Sequence, residues 1–185
     1  MSPSETTYFD TSVAAHAKHR IAWLLILMFS STITGSIITK YKNAFAAIPL
    51  LVSFIPMLMD TGGNCGSQSS TLIIRGIALG EIRFSDLFRV MFKEFRVSLI
   101  VGVVLALANG LRILIMYRNA GLALVIGLSL VATVIISKLI GCLLPLFAKK
   151  LHMDPAIMAS PLITTLVDTC SILIYFNIAT RIFQL

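Results

Sequence analysis

The sequence predicts an all-α fold, an integral membrane bundle of five transmembrane helices, on three observations. Of its 185 residues, 57% are hydrophobic and 12% charged, about half the charged share of a soluble domain, and mean hydropathy is +0.94. Apolar runs able to cross a hydrocarbon layer ~30 Å thick recur along the chain, separated by clusters of Lys and Arg. The last run, Asp154–Phe176, reads DPAIMASPLITTLVDTCSILIYF and at 1.5 Å per residue reaches roughly 35 Å. The length suits one such bundle, divided into an N-terminal cytoplasmic or interfacial segment (1–20) and a transmembrane part (21–185). The net charge of +7 fits basic loops beside anionic lipid better than a nucleic-acid surface, and no nucleic-acid partner is expected.

Taken in order, Met1–Arg20 is polar and ends in His16, Lys18, His19 and Arg20. Thr11-Ser12 predicts a cap for a short surface helix over Val13–Ala17, and the histidines beside Lys and Arg read as an interfacial basic cluster. No cleavable leader is expected, because no small-residue cleavage pattern follows the first apolar run. Ile21–Thr39 is the first span, with Trp23 near one interface and Lys40, Tyr41 and Lys42 at the other.

Ala44–Leu79 would run ~54 Å as a single helix, so it must tilt, kink or break. Pro49, Pro56 and the run Asp60-Thr-Gly-Gly-Asn-Cys-Gly-Ser-Gln68 mark the breakers. That run predicts irregular polar backbone at membrane depth, buried in protein or facing water; the alternative is a loop outside the membrane. Arg75–Arg96 reads as a basic cytoplasmic connection with an amphipathic helical start to the third span, Val97–Met116, in which Arg112 snorkels. Tyr117-Arg118-Asn119 is a tight turn, and Ala120–Phe147 the fourth span, containing Lys138 and, near its end, Pro145. Cys65, Cys142 and Cys170 lie in apolar or membrane-level segments without CxxC or Cys/His spacing, and read as small buried hydrophobes.

The fifth span carries the chemistry. At 100° per residue, Ser160, Thr164, Asp168, Ser171 and Tyr175 fall within a sector of about 80°. Hydroxyls in membrane helices commonly bond to their own helix or to a neighbour, but an ionised carboxylate at mid-bilayer costs at least ~2.5–3.5 kcal/mol and is rarely kept without a task. The stripe is therefore a candidate lining of a cation path centred on Asp168. Mg²⁺ requires octahedral oxygen ligands and sheds water reluctantly, so one carboxylate cannot hold it bare. Two chains meeting on a two-fold axis could hold the hydrated ion between two Asp168 side chains and backbone carbonyls. Pro161, lacking an amide hydrogen, would free the carbonyl of Ile157. Asp154, at the start of the span, reads both as a helix N-cap and as a negative ring at the inner mouth.

The motifs Pro56-Met-Leu-Met-Asp-Thr-Gly-Gly-Asn-Cys-Gly-Ser-Gln68, Arg75-Gly-Ile-Ala-Leu-Gly-Glu81, Leu144-Pro145, Asp154-Pro155-Ala156, Ser160-Pro161 and Asp168 resemble the signature of the MgtE family of magnesium channels. The resemblance runs from about Tyr8 to the C-terminus. It implies a homodimer whose second and fifth helices line a Mg²⁺ pore, Mg²⁺ being cargo rather than a resident cofactor. On that pattern Asp168 matches the aspartate that holds the hydrated ion, Thr164 contributes its backbone carbonyl, and Asp154 matches an acidic residue of a cytoplasm-facing magnesium site. Asn64 and Gln68 take supporting roles. Family members usually carry a large cytoplasmic magnesium-sensing part, whereas some twenty residues precede the first span here. Sensing by such a part is not expected of this chain.

Several functions fit the residues. The first is a passive dimeric Mg²⁺ channel in the cell membrane, not an enzyme. A carrier coupled to protons or sodium at Asp168 is an alternative, as is an intramembrane aspartyl protease with Asp60 and Asp168 as its dyad; a purely structural subunit is the plain reading. With five spans, Lys18, Arg20, Arg75, Arg83, Arg89, Lys93, Arg96, Lys149 and Lys150 share one side, against Lys40, Lys42, Arg118 and Arg181 on the other. The N-terminus is thus expected in the cytoplasm and the C-terminus outside.

Overall fold

Among the described residues six α-helices follow in chain order: α1 (Val13–Lys40), α2 (Lys42–Ala47), α3 (Ile55–Ala78), α4 (Leu87–Tyr117), α5 (Ala120–Lys150) and α6 (Pro155–Phe183). This computed structural model describes residues 12–184, with the backbone alone at 19, 22, 23, 45 and 156–161. The expectations placed on Thr11 and on the side chains of His19, Trp23, Ser160 and Pro161 lie outside the described residues. Among the described residues all regular structure is helical, and three helical stretches are long and apolar enough to cross a membrane: Phe84–Tyr117, Ala120–Lys150 and Leu162–Phe183. Leu24–Lys40 is a shorter apolar helix, and α3 is a continuous helix whose apolar character is broken by its polar run.

Local signals place most of the boundaries. Ser12 caps α1, its hydroxyl accepting the Ala15 N–H at 3.3 Å. The helix it starts is not a separate surface helix, however, but runs unbroken to Lys40, since nothing between Ala17 and Ile21 interrupts it. At the Tyr117–Asn119 turn, Arg118 takes a left-handed conformation (φ 50°) and the Asn119 side chain accepts the Leu122 N–H at 2.9 Å to cap α5. Helix α3 ends in a Schellman motif: Gly80 at φ 73° lets the Gly80 and Glu81 N–H groups reach the Ile77 and Gly76 carbonyls. His152 does the same for α5, which extends beyond the expected Phe147 to Lys150.

The glycine-rich run is where expectation and structure part. Residues 60–68 are neither irregular nor a loop; they are the middle of α3. The break lies upstream, at Ile48 (φ −136°, ψ 81°) ahead of Pro49, followed by a 3₁₀ run over Pro49–Phe54. Backbone groups away from water must bond internally, which favours the helix. The glycines permit close contact with neighbouring helices: a Cβ at Gly62 would lie 2.6 Å from Val167 Cγ1 of α6 and 2.9 Å from Thr133 Cγ2 of α5. Gly66 and Gly141 mark the tightest crossing, where a Cβ on Gly141 would overlap the Gly66 carbonyl. Backbone cannot swing aside as a side chain can. Gly141→Ala is therefore expected to destabilise the fold by ~1–3 kcal/mol, seen as an earlier thermal melt in detergent; an unchanged melt would mean that the helices are not so close.

Helix α5 is the hub, packed against α3, α4 and α6, while α1 lies mainly against α6. A hydrophobic cluster that includes Leu51, Leu58, Ile113, Ile126, Ile172 and Phe176 fills the end where α3 begins and α4 ends. At that end Tyr175 of α6, fully buried, donates to the Leu51 carbonyl at 2.8 Å. Thr169 donates to the Thr165 carbonyl, so in its 2.9 Å contact with Thr34 of α1 the Thr34 hydroxyl is the donor. The outward faces of α1 and α4 are largely apolar; Phe29, Ile100 and Leu107 are among the most exposed hydrophobic residues.

Candidate functional site

Once 60–68 is helical, Asp60, Asn64 and Ser67 fall at i, i+4 and i+7 and share one face of α3. That face borders α6, and the two helices enclose an open cleft of about 220 Å³ lined by Met59, Asp60, Gly63, Asn64, Ser67, Thr164 and Asp168. Gly63 keeps the cleft floor low: a Cβ there would stand 3.5 Å from Thr164 Cγ2. Asp168 and Thr164 are half-buried, and Asp60 and Asn64 exposed. The cleft thus gathers two carboxylates, a carboxamide and two hydroxyls on a predominantly apolar molecule.

The expected stripe of α6 divides. Thr164 and Asp168 line the cleft, whereas Ser171 and Tyr175 turn into the protein interior, where Tyr175 holds Leu51. Those two are structural. Gln68, expected to support the site, is exposed and not among the cleft residues. Asp154 is exposed ahead of α6, and fourteen residues of helical rise set it roughly 20 Å along the axis from Asp168. The structure brings Asp168 together with Thr164, and leaves Asp154 at the helix end.

Asp60 and Ser67 are members of the cleft that the sequence reading did not assign to an ion site. Their signal was the spacing from Asn64, hidden while the run was read as irregular. Among the described residues no three His, Cys, Asp or Glu side chains gather closely enough to hold a metal ion. The cleft offers carboxylate, carboxamide and hydroxyl oxygen atoms, the donor type that hard cations and their water shells take.

Behind the cleft lies a second polar group. Glu94 of α4 and Lys138 of α5, 8% and 5% exposed, face each other at 3.9 Å. Ser69 of α3 joins them, its hydroxyl donating to Glu94 Oε2 at 2.5 Å and accepting from Lys138 Nζ at 3.3 Å. Glu94, on the helical start that the sequence predicts for the third span, is thus a buried acid that ties three helices together. Arg112, exposed near the end of α4, donates to Asn109 Oδ1 at 2.9 Å on its own helix.

The MgtE family model, described as a divalent cation transporter, matches residues 55–178, the stretch holding both sides of the cleft and the buried pair. The chain belongs to the MgtE family. It is 40% identical to the magnesium transporter MgtE of Bacillus subtilis over 93% of its own length. It is 36% identical to the protein of that name from Thermus thermophilus over 97% of its length, and 34% identical to that of Enterococcus faecalis over 89%. It covers 38%, 40% and 36% of those relatives, and so spans about two fifths of their length. The family description and the relatives' names are those of transporters, not of enzymes, and neither gives support to a protease dyad of Asp60 and Asp168.

Proposed function

We propose that the chain forms the membrane pore of a dimeric channel for hydrated Mg²⁺. Helices α1, α3, α4, α5 and α6 supply the five spans within residues 21–185, and two α3–α6 clefts face each other across a two-fold axis. The observation that carries this reading is the meeting of Asp168 and Thr164 with Asp60, Asn64 and Ser67 in a cleft open at the protomer surface. A polar groove open to hydrocarbon would be costly, and a second copy would cover it.

In this reading two Asp168 carboxylates detain an ion through its water shell, and the Thr164 carbonyl accepts from that shell. Outer-sphere holding suits conduction, because the ion must leave as readily as it enters. The N-terminus lies in the cytoplasm of the cell, so Asp154 stands at the inner mouth. Names of the relatives support Mg²⁺ as cargo.

Flux into proteoliposomes tests the proposal: Mg²⁺ entry down its own gradient, with no sodium present and no pH gradient, is expected. Strict dependence on either would make the protein a coupled carrier. Asp154→Ala should slow uptake only by roughly two- to fivefold, the scale of one exposed charge near a helix end. Complete loss of uptake in that variant would contradict the ranking of Asp168 over Asp154.

A further inference from the structure

The first half of α4 bears a cationic groove that the pore does not use. Arg89, Lys93 and Arg96 stand at i, i+4 and i+7 and, with Phe92, Val97 and Ile100, line an open hollow of about 340 Å³. All six are exposed. The Arg96 guanidinium lies 5.9 Å from the Phe92 ring centroid. The nearest acids are engaged elsewhere: Glu94 points to the opposite side, into the bundle, where it meets Lys138 and Ser69, and the Asp86 carboxylate accepts the Arg83 N–H. Among the described residues no carboxylate forms an ion pair with these three cations.

The same face turns wholly apolar at Val97, and Ile100 one turn on is 69% exposed. Such a change within one helical turn marks the depth at which phosphates give way to acyl chains. We propose that this groove binds the head group of an anionic glycerophospholipid in the adjoining leaflet. Two guanidiniums and an ammonium answer a phosphodiester. Phe92 sits at head-group depth, and Val97 and Ile100 carry the start of an acyl chain. A zwitterionic head group would bring a second cation against three like charges. An acidic segment of a soluble protein could meet the charges, but it has no use for an apolar floor below the phosphate plane.

The test is a titration of the detergent-purified protein with phosphatidylglycerol or phosphatidylcholine, with bound lipids counted by native mass spectrometry. The wild type is expected to take phosphatidylglycerol at least about tenfold more tightly than phosphatidylcholine. Neutralising the groove with R89Q/K93Q/R96Q should weaken phosphatidylglycerol by about 100-fold, or about fivefold per charge removed. A control, R83Q/K149Q/K150Q, removes as many charges from the same end of the bundle and should keep the wild-type affinity. Should the triple groove variant fail to fold, R96Q alone is expected to show the fivefold loss. Equal binding of the two lipids by the wild type, an equal loss in the control, or wild-type affinity in the groove variants would overturn the proposal. So would displacement of phosphatidylglycerol by an equimolar soluble hexaglutamate peptide.

Discussion

Replacing Asp168 with alanine or asparagine is expected to reduce Mg²⁺ flux to the background of empty liposomes while the protein still elutes as a folded species of unchanged size. The magnitude follows from charge and distance. A carboxylate held through one layer of water sits about 4 Å from the ion, and even with the dielectric of bulk water its attraction for a divalent charge is ~2 kcal/mol. A dimer loses two such attractions, ~4 kcal/mol in all, or about a thousandfold in occupancy. Asparagine keeps the shape and the oxygen but removes the charge, so it separates electrostatics from packing. If Asp168→Asn conducts like the wild type, the carboxylate is not what selects the ion.

Glu94→Ala should be the most damaging change away from the cleft. It strands Lys138, 5% exposed, without a counter-charge and with only the Ser69 hydroxyl to meet it. Removing one partner of a buried pair typically costs ~3–5 kcal/mol, which for a chain of this size lowers the melting temperature on the order of 10 °C. Replacing both charges by residues of similar volume, Glu94→Met with Lys138→Met, should recover most of that loss, because the paired removal leaves no unmatched charge. A Glu94→Ala variant as stable as the wild type, or a double variant no better than either single one, would show that the pair is not coupled. Since Ser69 directly follows the polar run and bonds to both charges, this pair holds the cleft wall of α3 in register with α4 and α5.

How far the sequence carried these conclusions depended on the range of each signal. Ser12 and Asn119 cap their helices through contacts three residues away, and such signals can be read directly. Asp168 stood out because a lone carboxylate within an apolar run is costly wherever the helix packs. The run Asp60–Gln68 misled because glycine, asparagine and serine favour turns on their own. What makes it helical is the fit of Gly62 and Gly66 against α5 and α6, a tertiary effect. Glu94 and Lys138 lie 44 positions apart on different helices, so each looked unpartnered or solvated until the α4–α5 hairpin brought them together. Ser171 and Tyr175 share the angular sector of Asp168, and only the position of neighbouring helices turned them inward.

The most direct test of the central claim is a structure of the protein in Mn²⁺, a divalent ion visible by its anomalous scattering. A single peak is expected on a two-fold axis between paired α6 helices, about 4 Å from both Asp168 carboxylates, the distance of a water-bridged contact. A peak bound within one protomer, or two Asp168 side chains facing lipid far from any shared axis, would contradict it.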